Sequence, residues 1–545
     1  MKYTDTMSYK YSLIVLLVVI STVTATRKDP NFQEGRTAIV HLFEWKWADI
    51  VRECEDYLGP HQFAGVQISP PMEHRVYPEL GYPWWQRYQP VSYSIDSRSG
   101  GREAFADMVR RCNDAGVRVY VDAIVNHMAS VNSTVNDTYN FPDVPFTPED
   151  FNVPKGLCNL TSGDIAQTSY VDSSYEVRYC NLLSLADIYY GPDNDNYGKT
   201  KVLEYLNDLI SMGVAGFRID AAKHMPPDIL ADILDGLDDC TFGGSPWVYN
   251  EVIDVNEAEA IRSSEYFECG DVTEFRYCDA ITLLGRGTKN ASDYEDFGFD
   301  DKWGMMPNEN AVVFVENHDN QRNHGAGGDI LAFQEPLPYK KAVAFTLAWP
   351  YGTKRLMSSY EFENSDQGPP SNENGEIDDV VINSRGLCDG GWVCEHRWHE
   401  VRNMVCFQNT VEGEDVENWW DNGKNAIAFS RGDKGFFALN NEEITVTEVV
   451  QTGLPEGKYC DLISGDPTTD GCSGRIVEVG ADGTAEITLI PSGRHGDDAI
   501  LALTKEATFG RGNYEGCLFT GAGTRLVPSL TWISMLLAFL FLKWA

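Results

Sequence analysis

The sequence predicts an α/β fold: a (β/α)8 TIM barrel with a long loop domain after its third strand and a C-terminal antiparallel β-sandwich domain. Two observations predict it. Short apolar runs alternate with amphipathic helices from about residue 37 to residue 414, and several of these runs end in acidic or amide side chains. Alternating strands and helices form a parallel sheet. In a closed barrel the carboxyl ends of different strands surround one pocket, so these polar ends would converge there.

The apolar runs give a candidate for each barrel strand. They are TAIVHLF (37–43), FAGVQIS (63–69), VRVYVDAIV (117–125), GFRID (216–220), PWVYNEV (246–252), CDAITLL (278–284), AVVFVEN (311–317) and RLMSS (355–359). The sixth run is the weakest. Between the runs, Phe105, Met108, Val109 and Cys112 follow helical spacing, as do the apolar residues of 202–210.

The pattern breaks in two places, and these breaks divide the chain. Residues 126–189 show no clear strand–helix unit but carry four prolines and a cysteine pair, which predicts a loop domain. Because this segment follows the third strand, the loop domain would form one wall of the pocket. After about residue 414 the apolar residues alternate with period two, which predicts an all-β domain. The predicted domains are a signal peptide (1–25), the barrel (26–125 and 190–414), the loop domain (126–189), the β domain (415–505) and a linker with an anchor signal (506–545).

The charge balance limits the ligand. The 43 basic and 82 acidic residues give a formal net charge of −39. Nucleic acid requires a basic footprint, so we expect no nucleic-acid partner. A neutral ligand such as a sugar fits, although solubility through self-repulsion is the simpler explanation of the charge.

The N-terminal segment indicates export. Two lysines precede LIVLLVVI (13–20) and the small-residue site Val23-Thr24-Ala25, as in a secretory signal peptide. A membrane span is the alternative, but the apolar run is short for one. The thirteen cysteines and the sequons at Asn132, Asn136, Asn159 and Asn290 agree with an extracellular protein.

The C-terminal segment resembles a lipid-anchor signal. Gly521–Gly523 lie upstream of a short spacer and the terminal apolar run WISMLLAFLFL (532–542), the order found in glycosylphosphatidylinositol (GPI) anchor signals. The alternatives are a retained tail-anchoring helix, for which the run is short, and an amphipathic or disordered tail, although the run has no polar face. We therefore predict anchoring at the outer cell surface, with free secretion as the alternative.

Three carboxylates stand at the ends of predicted strands. Asp220 closes GFRID, Glu251 closes WVYNE and Asp319 closes VVFVENHD. Three carboxylates in one pocket suit the cleavage of a glycosidic bond, with one acid, one nucleophile and one charge stabiliser. Each alone could cap a helix or turn, but that explanation is poor for three with His127, His224 and His318 beside them.

These residues fall in motifs that resemble the α-amylase family of glycoside hydrolases, and most closely its animal, chloride-dependent branch. The motifs are DAIVNH (122–127), GFRIDAAKH (216–224), NEVID (250–254) and FVENHD (314–319), with further matches in HLFEWKW (41–47), YPWWQRYQPVSY (82–93), NQRNHGAGG (320–328) and YGTKRLMSSY (351–360). The resemblance covers roughly residues 27–505.

The resemblance implies a retaining endo-hydrolase of α-1,4-glucosidic bonds in starch and glycogen. Asp220 would be the nucleophile, Glu251 the general acid/base and Asp319 the transition-state stabiliser. Arg218, on the same strand face as Asp220, would favour an ionised nucleophile. Trp247 and Tyr249 would give Glu251 the apolar company that keeps an acid protonated. An α-glucosidase of the same clan and a catalytically inactive binding protein remain the alternatives, and we expect a monomer.

The resemblance also implies the ligand contacts. The sugar-binding residues would be Trp84, Trp85, Tyr88, Gln89, His127, Lys223, His224 and His318. Aromatic clusters are more often core, but the loop setting of the Trp84–Trp85 pair favours stacking on sugar rings.

Two ions are implied as well. Calcium would bind the side chains of Asn126 and Asp187 and the carbonyls of Arg178 and His224, since it prefers oxygen ligands. Chloride would bind Arg218, Asn317 and Arg355 and favour protonated Glu251 by charge repulsion. The alternative for Arg355 is an ordinary salt bridge.

The family pattern implies some disulfides and leaves others open. The implied pairs are Cys54–Cys112, Cys158–Cys180, Cys388–Cys394 and Cys460–Cys472. Cys240, Cys269, Cys278, Cys406 and Cys517 are unassigned, and Cys269 could pair with Cys278 or Cys240. Glu316 stands where animal members commonly have an aspartate, one residue from a chloride ligand.

Overall fold

The computed structural model describes residues 27–131, 139–326, 328–468, 471–491 and 499–508. The predicted signal peptide and anchor signal, the sequons at Asn132 and Asn136, and Cys517 lie outside these ranges. Within them, no helix combines the length and the apolar character needed to span a membrane.

Eight parallel strands close into a barrel, which confirms the predicted fold class. The first strand pairs with both the second and the eighth, which closes the sheet. The strands are β1 (Ala38–Leu42), β2 (Gly65–Ile68), β3 (Arg118–Ala123), β4 (Gly216–Ile219), β5 (Trp247–Asn250), β6 (Asp271–Thr273), β7 (Ala311–Val313) and β8 (Thr353–Ser358).

Helices follow most of the strands and cover the barrel. The α-helices are α1 (Trp47–Glu53), α2 (Arg102–Asp114), α3 (Ser169–Asp172), α4 (Ser174–Tyr179), α5 (Tyr197–Ser211), α6 (Pro227–Leu234), α7 (Phe275–Arg286), α8 (Pro336–Ala348) and α9 (His399–Val411). Two short ones, α3 and α4, belong to the loop domain. The predicted apolar faces are the buried ones: Phe105, Met108, Val109 and Cys112 of α2 are all buried.

The predicted sixth strand is wrong. Residues 278–284 lie inside α7, where Cys278, Ile281 and Leu284 are buried at helical spacing. The true sixth strand is the three-residue β6, which follows Gly270. Three residues are too few to produce an apolar run, so the periodic helix beside it gave the stronger signal.

The loop domain has a core of its own. A ribbon of His127–Ser130 paired with Leu185–Asp187 leaves the barrel just after β3. Its apolar core includes Phe141, Phe146 and Phe151. The domain therefore stands at the carboxyl end of the barrel, where it can form one wall of a pocket.

The C-terminal domain is all-β, as predicted. A four-stranded antiparallel sheet is formed by Val416–Asp421, Ala426–Arg431, Gly435–Asn440 and Ile500–Thr504. Three further antiparallel pairs of strands complete the domain: Val446–Gln451 with Thr484–Leu489, Gly457–Cys460 with Ile476–Val479, and Pro467–Thr468 with Gly471–Cys472. One face of the four-stranded sheet packs on the barrel through Phe429 and Phe437, which contact Phe345 of α8. The other face packs against the strand pairs through Phe436 and Leu501.

The cysteines follow the implied pairing. The pairs Cys54–Cys112, Cys158–Cys180, Cys388–Cys394 and Cys460–Cys472 are all disulfide-bonded. Cys406 is disulfide-bonded as well. Within the described ranges, Cys240, Cys269 and Cys278 are buried free thiols, so the alternative pairings of Cys269 are wrong.

Gly216 at the start of β4 allows the two strands that carry the predicted nucleophile and acid to meet. A Cβ at this position would overlap the backbone carbonyl of Trp247 in β5. We expect Gly216→Ala to lower the free energy of unfolding by more than about 3 kcal/mol, because backbone cannot move aside as a flexible side chain does. Chemical denaturation measures this. Gly101→Ala is the matched control, since nothing lies closer than 3.9 Å to its Cβ; equal losses in the two variants would contradict the packing argument.

Candidate active site

The carboxyl ends of the barrel strands open into a cleft of about 670 Å³. Its walls contain every predicted catalytic and sugar-binding residue: Asp220, Glu251, Asp319, Trp84, Trp85, Tyr88, Gln89, His127, Lys223, His224 and His318. Residues separated by more than 200 positions thus meet because parallel strands share one edge.

Arg218 on β4 is the centre of the site. Its side chain is 1% exposed, and it donates to Asp122 at 2.5 Å, to Asp220 at 2.9 Å and to Glu251. Asp122 on β3 also accepts from the Tyr88 hydroxyl at 2.9 Å. One buried cation therefore orients three carboxylates, which fixes their positions relative to one another.

The protonation of Asp220 differs from the sequence-based expectation. Burial first, and then repulsion by Glu251 and Asp122, raise the pKa of Asp220 well above its usual range, although Arg218 opposes the shift. The sequence placed Arg218 beside Asp220 correctly, but it could not show that two further acids share the same guanidinium. Burial and repulsion among the three acids therefore favour a proton within the cluster.

Glu251 accepts two hydrogen bonds, one from Arg218 and one at 2.9 Å from the backbone N–H of Ala221. Trp247 and Tyr249 occupy the same face of β5, deeper in the barrel, where they bond to Asp271 and Gln67 respectively. Neither ring is among the residues that line the cleft around Glu251.

Asp319 follows β7 and faces the same cluster. Its carboxylate lies 3.3 Å from Nε2 of His318. Burial, followed by the charge of Glu251, raises the pKa of Asp319 to about 7. The carboxylate form is consequently lost as the pH falls through about 7.

Aromatic rings line one side of the cleft. Tyr88 stacks on His318 with ring centres 5.2 Å apart, and Trp84 meets both rings edge-on. Trp85 is only partly buried and lies against Tyr77. Rings that line an open cleft are suited to stacking on sugar faces, so this arrangement favours the predicted platform over a purely structural cluster.

The predicted histidines are neutral hydrogen-bonding groups. Burial lowers the pKa of His127 to about 4 and that of His224 to about 3. Lys223, in contrast, is already engaged: its ammonium donates to the Ile253 carbonyl at 2.6 Å and to Glu259 at 2.8 Å. Gln89 bonds to Tyr77 and to the Ser130 N–H.

The sequence-based reasoning missed part of the lining. The additional residues are Gln167, Tyr170, Leu182, Leu183, Leu185, Ala221, Ile253, Val255, Glu259, His324, Gly325 and Ala326. Most come from the loop domain and from segments after β5 and β7, which carry no periodic pattern. Asp122 was also missed, although its place in DAIVNH at the end of a strand was a usable signal.

The four predicted calcium ligands line a second cavity of about 310 Å³. Asn126, Arg178, Asp187 and His224 meet there, and Asn152 joins them. Asp187 is 2% exposed, and within the described structure the Asn152 Oδ1 atom has no hydrogen-bond partner. Burial raises the pKa of Asp187 well above its usual range. A buried carboxylate beside an orphaned amide oxygen fits a hard cation.

The three predicted chloride ligands are buried, and one is an uncompensated cation. Arg355 donates to Gln67 at 3.2 Å, and no carboxylate among the described residues pairs with it. Its Nη2 atom and the Nε atom of Arg218 have no acceptor in the described chain. The ordinary salt bridge for Arg355 is therefore absent from these ranges, and the orphaned donors fit an anion. Glu316 bonds instead to the Tyr339 hydroxyl at 2.7 Å.

Comparison with known families agrees with this geometry. Residues 56–262 match the family described as "Alpha amylase, catalytic domain", and residues 418–494 match "Alpha amylase, C-terminal all-beta domain". The chain is 47% identical to a pancreatic α-amylase of Sus scrofa over 506 residues, covering 88% of this chain and 96% of that protein. It is 46% identical to an α-amylase of Tenebrio molitor over 490 residues, covering 88% and 99%.

Solved structures give the same result. α-Amylase I of Eisenia fetida superposes with a TM-score of 0.80 at 41% identity, covering 87% of this chain and 98% of that one. A variant of that enzyme in complex with maltohexaose gives 0.81 at 42% identity, with the same coverage. An Anoxybacillus α-amylase, at 14% identity and a TM-score of 0.57, shares the fold.

Proposed function

Because the chain belongs to the α-amylase family of glycoside hydrolases, we propose that it cleaves internal α-1,4-glucosidic bonds of starch, glycogen and related glucans. The observation that carries this proposal is the convergence of Asp220, Glu251 and Asp319 in one aromatic-lined cleft. A neutral polysaccharide also suits a protein with a formal charge of −39.

The proposed reaction proceeds in two steps. The Asp220 carboxylate attacks the anomeric carbon while Glu251 gives its proton to the departing glycosidic oxygen, so the C–O bond breaks as the ester bond forms. Glu251 then takes a proton from water, which attacks the anomeric carbon and releases Asp220. Both carboxylates bind one guanidinium, which favours the short separation of about 5–5.5 Å that retention requires.

Asp319 and the neutral histidines complete the site in this proposal. Asp319 and His318 would hydrogen-bond the sugar bound at the point of cleavage, and His127 would hold a neighbouring hydroxyl. Trp84, Trp85 and Tyr88 would stack on glucose rings. Lys223 would flank the leaving-group side, with Glu259 fixing its ammonium.

The two alternative functions, an inactive binding protein and an α-glucosidase, account for fewer of these observations. An inactive binding protein does not need three catalytic carboxylates in one cleft, two of which, Asp220 and Glu251, bond the same buried arginine. An α-glucosidase would release single glucose units from chain ends. The two relatives compared above, at 46–47% identity over most of their length, are named as α-amylases.

The first test measures hydrolysis directly. We expect the wild type to release short reducing oligosaccharides from soluble starch and to reduce iodine staining before much glucose appears. Glu251→Gln should lower kcat by about 10²–10⁴-fold, because the amide cannot exchange a proton with the leaving oxygen. Lys46→Gln, at an exposed ion pair with Asp379 outside the cleft, is the control. Glucose as the first and main product would instead identify an α-glucosidase.

Calcium is proposed as the ion of the second cavity. Among the described residues, no group of three or more His, Cys, Asp or Glu side chains is arranged so that it could hold a metal ion. An ion would therefore depend on Asp187, the amide oxygens of Asn126 and Asn152, and backbone carbonyls. Because Asn126 follows β3 and Asp187 ends the loop-domain ribbon, the cation would tie the loop domain to the barrel.

Removing calcium should lower stability. A ligand present at 100 times its Kd stabilises the native state by about 2.7 kcal/mol, so chelation should reduce the melting temperature. Asp187→Asn should have a lower melting temperature and lose its response to chelator. Calorimetry with and without chelator measures both effects. A wild-type melting temperature that does not respond to exhaustive chelation contradicts the assignment.

Chloride is proposed as the anion between Arg218, Arg355 and Asn317. It would supply a negative charge to Arg355, which has no carboxylate partner in the described chain, and an acceptor to the unpaired Nε atom of Arg218. We expect wild-type activity to rise with chloride concentration, and Arg355→Gln to remove that dependence. Arg355→Lys, which keeps the charge, should retain part of it. Kinetics and ³⁵Cl NMR line broadening measure the effect; activity unchanged after complete replacement of chloride by a large inert anion contradicts the site.

An extracellular location, with a lipid anchor, is proposed for the mature protein. The disulfides support an oxidising compartment. Asn159 and Asn290 are exposed and so accessible to glycosylation. The order of small residues, spacer and apolar tail in 521–545 supports removal of the tail and attachment of lipid.

The anchor is tested on cells. Phosphatidylinositol-specific phospholipase C should release active enzyme, because lipid alone would hold the protein to the membrane. Deleting residues 524–545 should give enzyme that is secreted freely. Recovery of the peptide around Trp544 from mature enzyme would contradict lipid anchoring and indicate a retained tail.

A further inference from the structure

Arg322 is a buried cation that the proposed reaction does not use. It ends the single 3-10 turn Asn320–Arg322 that directly follows Asp319. Its side chain is 1% exposed. Among the residues that the structure describes, its Nε and Nη2 atoms have no hydrogen-bond partner, and no carboxylate forms an ion pair with it.

Aromatic rings surround the Arg322 guanidinium instead. Its central carbon lies 4.1 Å from the ring centre of Phe362, 4.7 Å from that of Tyr360 and 5.2 Å from that of Phe43. Phe43 in turn stacks on His318 at 5.0 Å. Ring faces attract a cation, so this aromatic box holds Arg322 in one orientation.

A hydrogen bond joins the Arg322 side chain to the catalytic segment. Its Nη1 atom donates to the His318 backbone carbonyl at 3.2 Å. Burying a cation without a counter-ion is unfavourable, and an apolar side chain could fill the same box without that cost. The retained charge is therefore best explained by what lies beside it, which is the His318–Asp319 segment.

We propose that Arg322 is a positioning residue for Asp319: it fixes the segment through the His318 carbonyl and supplies a permanent positive charge near the catalytic carboxylate. This inference rests on the proposed function, since it assumes that Asp319 acts in glycoside cleavage.

The charges around Asp319 determine in which direction its pKa changes when the charge of Arg322 is removed. Burial and Glu251 raise the pKa of Asp319 to about 7, whereas Arg218 and Arg322 oppose the rise. The groups that face Asp319 are Glu251, Arg218, Asp122, Arg322, His318 and Tyr88. Those that face Arg322 are Tyr360, Asp319, Glu44, His41, His318 and Glu395. Removing the charge of Arg322 should therefore protonate Asp319 at a higher pH.

The test is the pH profile of kcat/KM on a soluble maltooligosaccharide. Arg322→Gln keeps a donor for the His318 carbonyl but removes the charge. We expect the acid limb of the pH profile of Arg322→Gln to move to higher pH by roughly half a unit or more. We also expect the fold-decrease in kcat to exceed the fold-change in KM. Arg322→Lys, which keeps the charge, should leave the acid limb at its wild-type position. Arg322→Met serves in the same way if Arg322→Gln does not fold.

Phe362→Leu is the matched control, because it removes one ring of the box but keeps the charge. It should lower the melting temperature without moving the acid limb. An acid limb of Arg322→Gln that coincides with the wild type, together with a lower melting temperature, would overturn the proposal and leave Arg322 a packing residue.

Asp319→Asn separates this proposal from the function on which it rests. If Asp319→Asn retains wild-type hydrolysis, the catalytic role of Asp319 is wrong and the proposal for Arg322 fails with it. If Asp319→Asn abolishes hydrolysis while the acid limb of Arg322→Gln stays in place, only the proposal for Arg322 is overturned.

Discussion

The ion pairs of Arg218 are the constraint on which the rest of the site depends. One guanidinium, 1% exposed, bonds Asp122, Asp220 and Glu251, which belong to three neighbouring strand ends. A buried cation with several acids is tolerable only when each carboxylate is well placed, so the barrel must hold β3, β4 and β5 in fixed register. The absence of a side chain at Gly216 lets β4 and β5 approach closely enough for that register.

The same balance explains the other buried cations. Three carboxylates, those of Asp122, Asp220 and Glu251, bond the single guanidinium of Arg218. Burial, followed by repulsion from Glu251, raises the pKa of Asp220 and of Asp319. Arg322 adds positive charge from the side of β7, and Arg355 adds it from β8. Neither arginine has a carboxylate partner in the described chain. The positive charge of each therefore acts on the whole group of carboxylates in the site. The proposed chloride would change the balance of positive and negative charge in the site. The proposed calcium would act on the loop domain that encloses the site.

Much of this organisation could be predicted from the sequence. Asp220, Glu251 and Asp319 were found because each closes an apolar run, and strand ends in a barrel share one pocket. The predicted calcium and sugar ligands came from the family resemblance, and the structure brings each set into one cavity. The short β6 was missed because three residues carry no periodicity. The shared bonding of Arg218, the aromatic box of Arg322 and the apolar lining at 182–185 depend on packing between distant segments, which no local pattern encodes.

The central claim is that the acids around Arg218 cannot all be ionised at neutral pH, so that the cluster keeps a proton for the reaction. A ¹³C NMR titration of carboxyl-labelled aspartate and glutamate, compared between the wild type and Asp319→Asn, measures this most directly. The account predicts a carboxyl group of the cluster that titrates near pH 7 in the wild type, and whose titration changes in Asp319→Asn. If every carboxyl group of the cluster titrates below about pH 5, the cluster holds no proton at neutral pH and the account is wrong.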